Sequence, residues 1–136
     1  MATRPLSATR HCTSSGPASG AGAPVRRGGP PRGHPAVLVH GYVDSWRTFE
    51  PLLRHLPPSL HVYAPTQRGH GDAAKPPGGY LPEDFAADLL AFMDSVGIGR
   101  AVLVGGSSGG VQARIVAARH PDRVAGRCHV VGCVRA

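Results

Sequence analysis

The chain has 136 residues, about the length of one ordinary domain, and a formal net charge of +7. Five arginines (Arg4, Arg10, Arg26, Arg27, Arg32) and no acid lie within residues 1–35, whereas residues 36–136 hold ten basic and eight acidic side chains. The excess charge belongs to the leader, so the overall basicity is no evidence that the body binds nucleic acid.

Residues 1–35 are dense in Gly, Pro, Ser and Ala and contain no apolar run longer than a pair. Such a segment buries too little apolar surface to offset the entropy of ordering it, and a disordered basic tail is expected. It reads as a solvated leader or as an electrostatic arm for phosphate backbones or anionic membrane. No lysine cluster or aromatic interleaving supports the arm, so nucleic acid is not an expected partner. The leader lacks the apolar stretch of a secretory signal, and its Gly and Pro content opposes the amphipathic helix of a transit peptide. The remaining residues 36–136 suffice for a small, marginally stable domain.

Ala36-Val37-Leu38-Val39 is a short apolar run stopped by His40-Gly41, the pattern of a buried parallel strand. Trp46, Phe49, Leu53 and Leu56 then recur at helical spacing. Asp44 or Ser45 is a candidate cap, Pro51 sits near the start and Pro57-Pro58 forms the stop. A second strand is expected at His61-Val62-Tyr63-Ala64, closed by Pro65, followed by a Gly- and Pro-rich loop over 66–79. Leu81-Pro82-Glu83-Asp84 opens a second helix, with proline and acids in the first turn. Its apolar face is Phe85, Leu89, Phe92, Met93 and Val96, and Gly97 is its C-cap. A third strand, Ala101-Val102-Leu103-Val104, runs through Gly105-Gly106-Ser107-Ser108-Gly109-Gly110 into a helical segment over 111–118, and a fourth is expected within His129-Val130-Val131. This alternation predicts an α/β fold with three to four parallel strands and flanking helices.

The chemistry-bearing motif is Gly105-x-Ser107-x-Gly109, placed between a strand and a helix start. A turn sharp enough to lift the serine hydroxyl clear of the sheet leaves no room for side chains at its flanks. The serine then meets a helix N-terminus, whose N–H groups favour negative charge. Val39-His40-Gly41-Tyr42 ends the first strand at the same carboxyl edge, where open α/β sheets bind ligands. Acyl transfer needs two N–H donors converging on an oxyanion; Tyr42 N–H and Ser108 N–H are the candidates. The loop lacks the lysine of a phosphate-binding loop and the spacing of a dinucleotide site, which leaves a purely structural tight turn as the alternative.

These segments together resemble the α/β-hydrolase superfamily of esterases, lipases and epoxide hydrolases. The resemblance is carried by Leu38-Val39-His40-Gly41, Trp46, Gln67-Arg68-Gly69-His70-Gly71-Asp72, the turn at 105–110, and His120-Pro121-Asp122-Arg123-Val124. It covers residues 36–125, implies the four adjacent central strands of that fold, and makes Ser107 the nucleophile of an elbow. Within the resemblance, a serine here favours ester-like acyl substrates over epoxides or haloalkanes, whose relatives attack with aspartate.

The resemblance also implies a triad in the order Ser, acid, His, and this order is not completed. After Ser107 come only Asp122, on the wrong side of the sheet by the family's topology, and His120 and His129; the family's catalytic histidine follows the last strand. His40 and His70 lie in loops near the site, structural in the family, and would serve as a surrogate base only if geometry allowed. The Gly/Pro-rich start and the Arg127-Cys128-His129 interruption of an expected aliphatic strand lead to the expectation of an incomplete hydrolase core with truncated or frame-shifted ends.

The expected function is hydrolysis of a small ester-like molecule through Ser107, with the acid and His supplied from outside this chain. The alternative is an inactive remnant or interaction module, self-associating through exposed sheet edges. No metal or organic cofactor is implied. Cys12, Cys128 and Cys133 form an odd set, and the pair flanking His129 lacks zinc-site spacing. No apolar stretch reaches the length of a membrane span, and a soluble cytoplasmic protein is expected.

Overall fold

Residues 36–39 are apolar at every position because both faces of this strand are covered. In the computed structural model, which describes residues 25–29 and 31–130, the strand is β2 (His34–Val39). Its alternate side chains serve two cores. Ala36 and Leu38 join Val62 and Ala64 on one face, packed by Trp46, Phe49, Leu53 and Leu56. Val37 and Val39 join Tyr63, Leu103, Leu89, Met93, Ala113 and Val116 on the other. Period-two alternation with both sides buried is the arrangement of a parallel sheet sandwiched by helices.

The sheet has five strands: β1 (Val25–Gly28), β2, β3 (Leu60–Pro65), β4 (Ala101–Gly106) and β5 (Val124–Val130), in the spatial order β1-β3-β2-β4-β5. Strands β2 to β5 are parallel, and β1 runs antiparallel to β3. Four parallel strands agree with the expected α/β architecture. The strand at Val25–Gly28 corrects the expectation that all of residues 1–35 lack regular structure: its backbone pairs with residues 62–65, and such pairing needs no apolar run. Residues 1–24 of the expected tail lie outside the described residues.

β5 is a second correction. The strand expected within His129-Val130-Val131 begins at Val124 instead and runs through the polar stretch Arg127-Cys128-His129 to Val130, with one irregularity opposite Ala101 and Val102; Val131 lies outside the described residues. Ladder bonds are made by the backbone, so polar residues are tolerated in a strand that closes one end of the sheet.

The helices are α1 (Glu50–Leu53), α2 (Pro82–Ser95) and α3 (Ser108–Arg119). The first expected helix forms as a 3-10 turn over Trp46–Phe49, capped by the Ser45 hydroxyl, followed by the single turn of α1. Pro51 falls within that turn, where its missing N–H costs nothing. Asp84 accepts a bond from Leu81 N–H (2.9 Å) and so secures the start of α2. α1 lies over one face of the sheet, and α2 and α3 lie over the other.

Leu103 of β4 has no exposed surface; it pairs with Val37 of β2 and packs in the larger core with Leu89, Met93 and Val116 of the helices. Leu103→Ala is expected to lower unfolding stability by about 2–5 kcal/mol, read from the urea midpoint at constant slope.

Candidate functional site

β2 and β4 are neighbours, but the chain leaves them toward opposite faces, β2 into α1 and β4 into α3. A crevice must open between their carboxyl ends, which is where ligands bind in sheets of this kind. His40, Gly41 and Tyr42 stand at the end of β2, and Ser107 stands between β4 and α3.

Ser107 has φ 49 and ψ −118, a backbone conformation that side chains disfavour and that costs on the order of 1–3 kcal/mol. Close contact on both sides holds it there. A Cβ at Gly105 would strike the backbone of Gly109 and Gly110, and one at Gly109 would strike the carbonyls of Val39 and His40. The expected hairpin bend at Ser107 is thus present, with Ser107 exposed and helix α3 beginning at the next residue. At Gly41 a Cβ would lie 3.2 Å from Ser107 Cβ, so the tip of β2 runs directly beside the serine.

A cavity of about 620 Å³ opens here, lined by Tyr42, Val43, Gln67, His70, Tyr80, Phe85, Ser108, Val111 and Gln112 among others. Tyr42 and Ser108, whose N–H groups are the candidate oxyanion donors, both line this space. The volume falls in the range of small-molecule sites. Its mouth is apolar: Tyr42, Val43, Tyr80 and Val111 are all exposed.

His40 is fully buried. Its Nδ1–H donates to Gly41 O (2.8 Å) and its Nε2 accepts from Gln67 N–H (3.0 Å), which fixes a neutral tautomer and leaves no nitrogen for proton transfer. Gln67 returns a bond from Nε2 to His40 O (2.7 Å). His40 thus stitches the tip of β2 to the loop after β3 and is a positioning group rather than a base. His70 donates from Nδ1 to Arg68 O (2.9 Å) and stands edge-on to the rings of His40, Tyr42 and Phe85.

The loop bearing His70 is held by Arg68, which forks onto Asp88 of α2 at 2.5 and 2.6 Å and donates to Gly79 O (2.9 Å). The bond to Asp88 raises the guanidinium pKa above its already high value.

Of the acid and two histidines that follow Ser107, Asp122 and His120 are not brought to it. His120 ends α3 and Asp122 lies in the following 3-10 turn, a helix length of roughly 18 Å from the serine. The backbone of His129 pairs with Gly105, and Cys12 and Cys133 lie outside the described residues. Among the described residues no group of three or more His, Cys, Asp or Glu is placed to hold a metal, and no helix is long and apolar enough to cross a membrane.

Gln112, which no sequence motif singled out, shares an unusual condition with Gln67 of the motif over residues 67–72. The side-chain oxygens of Gln67 and Gln112 are buried without a hydrogen-bond partner, a condition that costs roughly 1–3 kcal/mol per group. For Gln112 the available clue was a polar residue one helical turn after Ser108, on the face of α3 that packs inward.

The family model for the alpha/beta hydrolase fold matches residues 35–132. Among curated relatives, 2-(acetamidomethylene)succinate hydrolase of Mesorhizobium japonicum is 38% identical over 88 residues, covering 65% of this chain and 32% of the relative. Epoxide hydrolase A of Mycobacterium tuberculosis is 37% identical over 106 residues, 74% of this chain and 32% of its own length. The structure of an esterase from a marine microorganism superposes with a TM-score of 0.74 at 28% identity, over 79% of this chain and 40% of that one. The chain spans about a third of the length of the curated relatives it matches.

The strain at position 107 is expected to reverse the usual order of substitutions: Ser107→Gly should be more stable than Ser107→Ala by about 1 kcal/mol in urea unfolding, although glycine normally costs stability. Burial lowers the pKa of His40 from 6.5, more than its bond to Gly41 raises it. The unfolded chain therefore binds this proton more readily. The stability held by neutral His40 is present in full above pH 6.5 and is lost as the pH falls from there through the folded value. A urea midpoint followed from pH 8 to 5 should decline on the acid side, and His40→Asn should flatten that decline.

Proposed function

The chain belongs to the α/β-hydrolase fold family, and from that premise we propose that it acts as a serine hydrolase on carboxylic esters or similar small acyl compounds. The observation that carries this reading is Ser107 at positive φ on a glycine-walled turn, beside a cavity that Tyr42 and Ser108 both line. In the proposed reaction Ser107 Oγ attacks the acyl carbon and forms the ester bond of an acyl-enzyme. Its proton passes to a base and from there to the departing alcohol. Tyr42 N–H and Ser108 N–H receive the negative charge that develops on the carbonyl oxygen. Water then attacks the acyl-enzyme, releases the acid and restores the hydroxyl.

The base and its orienting acid are proposed to come from outside these residues, as the family order of serine, acid and histidine implies: both His40 nitrogens are engaged, His70 is tied through Nδ1 to Arg68 O, and His120 and Asp122 sit at the far end of α3. The apolar mouth formed by Tyr42, Val43, Tyr80 and Val111 suits a small organic substrate with an apolar portion. Relatives include an epoxide hydrolase as well as an esterase. A serine at position 107 supports the acyl reading, because its hydroxyl forms an ester that water can cleave.

A second reading is favoured by one observation. β1 and β5 end the sheet, so each has an outer backbone edge that no described strand covers, and such edges pair readily with another chain. In that case the protein is a catalytically inactive member of the fold that works by self-association or interaction.

A fluorophosphonate probe separates the two. The proposed hydrolase becomes phosphonylated on Ser107 with loss of fluoride, as located by peptide mass spectrometry, and Ser107→Ala abolishes the label. A folded protein that remains unlabelled, turns over no ester and elutes as an oligomer on sizing chromatography establishes the second reading instead.

A further inference from the structure

Along α3 the inward-facing residues are Gly109, Gly110, Gln112, Ala113 and Val116, and Gln112 is the one polar side chain among them. It is only 5% exposed, it lines the cavity, and its Oε1 is buried with no hydrogen-bond partner. Packing would be served as well by leucine or methionine, and an orphaned amide oxygen is costly to keep. Gln67, across the same cavity, holds a second oxygen in the same condition.

We propose that Gln112 is a specificity residue: rotation about its terminal bond presents the carboxamide oxygen to a hydroxyl or N–H group carried by the substrate, giving that buried oxygen the partner it lacks. The assignment rests on the reading of this cavity as the acyl site. Ser108 and Gln112 are four residues apart on one helix and share a face, about one turn or 5.4 Å apart along its axis. With the substrate carbonyl at Ser108 N–H, the partner group of Gln112 lies some four bonds further along the chain. Val111, the residue before Gln112 on α3, and Phe85 line the same cavity and carry no hydrogen-bonding side-chain group, which leaves Gln112 as the polar side chain on the α3 wall one turn beyond Ser108. The preferred substrates are accordingly hydroxy- or amido-substituted acyl compounds rather than plain aliphatic ones.

Two isosteric ketones, 5-hydroxypentan-2-one and hexan-2-one, test this without any turnover, because neither is cleaved. Their binding is followed through the backbone amide resonances of Tyr42 and Ser108 in the full chain. The hydroxyketone is expected to bind about tenfold more tightly, equivalent to one net hydrogen bond. Gln112→Met, of similar volume, should erase that preference while holding hexan-2-one at least as well, which also reports that the variant is folded. Ser107→Ala should keep the preference, since the contact does not involve the nucleophile. Equal binding of the two ketones by the unaltered protein, or a preference that survives Gln112→Met, overturns the assignment and leaves the acyl-site reading standing. Failure of both ketones to shift Tyr42 or Ser108 overturns the acyl-site reading, and this assignment with it.

Discussion

The backbone of α3 approaches the tip of β2 so closely that no side chain fits between them. Gly109 faces the carbonyls of Val39 and His40, and Gly105 faces the first turn of α3 on the other side of the bend. That contact decides most of what surrounds it. It forces the chain to turn within one residue, puts Ser107 in a conformation it would not otherwise adopt, and sets Ser108 at the start of a helix facing the same space as Tyr42. A looser junction would let the serine relax to ordinary dihedrals and fold its hydroxyl back over the strand.

The loops above the sheet are fastened in a way that serves the same geometry. His40 is held from both nitrogens, and Gln67 binds it twice, so the end of β2 and the end of β3 move together. Arg68 ties the following loop to Asp88 of α2. Polar groups are thus used as connectors beneath the cavity, whereas the cavity mouth is apolar. Connectors of this kind hold geometry without being consumed in chemistry, and for that reason buried histidines beside a candidate nucleophile need not be bases. Val43, non-glycine at φ 59 and exposed at the mouth, is a second strained residue of the same neighbourhood.

Much of the architecture was legible in the sequence because its signals are local. The apolar runs at 36–39, 62–64 and 101–104 have no polar alternation, which happens only when both faces are buried. Glycines on either side of Ser107, between a strand and a helix, allow very few backbone paths. Less legible were the elements that depend on a neighbour. Val25–Gly28 became a strand because β3 offers it an open edge, and β5 continued through Arg127 and His129 because ladder bonds ignore side-chain polarity. The run from Trp46 to Leu56 looked like one helix, yet what it required was only that four apolar side chains reach the sheet, and two short turns accomplish that.

By itself the sequence determined the alternation of strands and helices, the bend at Ser107 and the two loops that meet beside it, since each is dictated by residues a few positions apart. Only the tertiary structure decided which polar groups are spent on holding the fold and which remain to face a ligand. His40 turned out to be bonded at both nitrogens and Gln112 to be orphaned at its oxygen, though nothing in their immediate sequence distinguishes them. The reason is that a hydrogen bond is settled by what lies close in space: the second nitrogen of His40 is taken by Gln67, 27 residues away, and no group among the described residues comes within reach of the Gln112 oxygen.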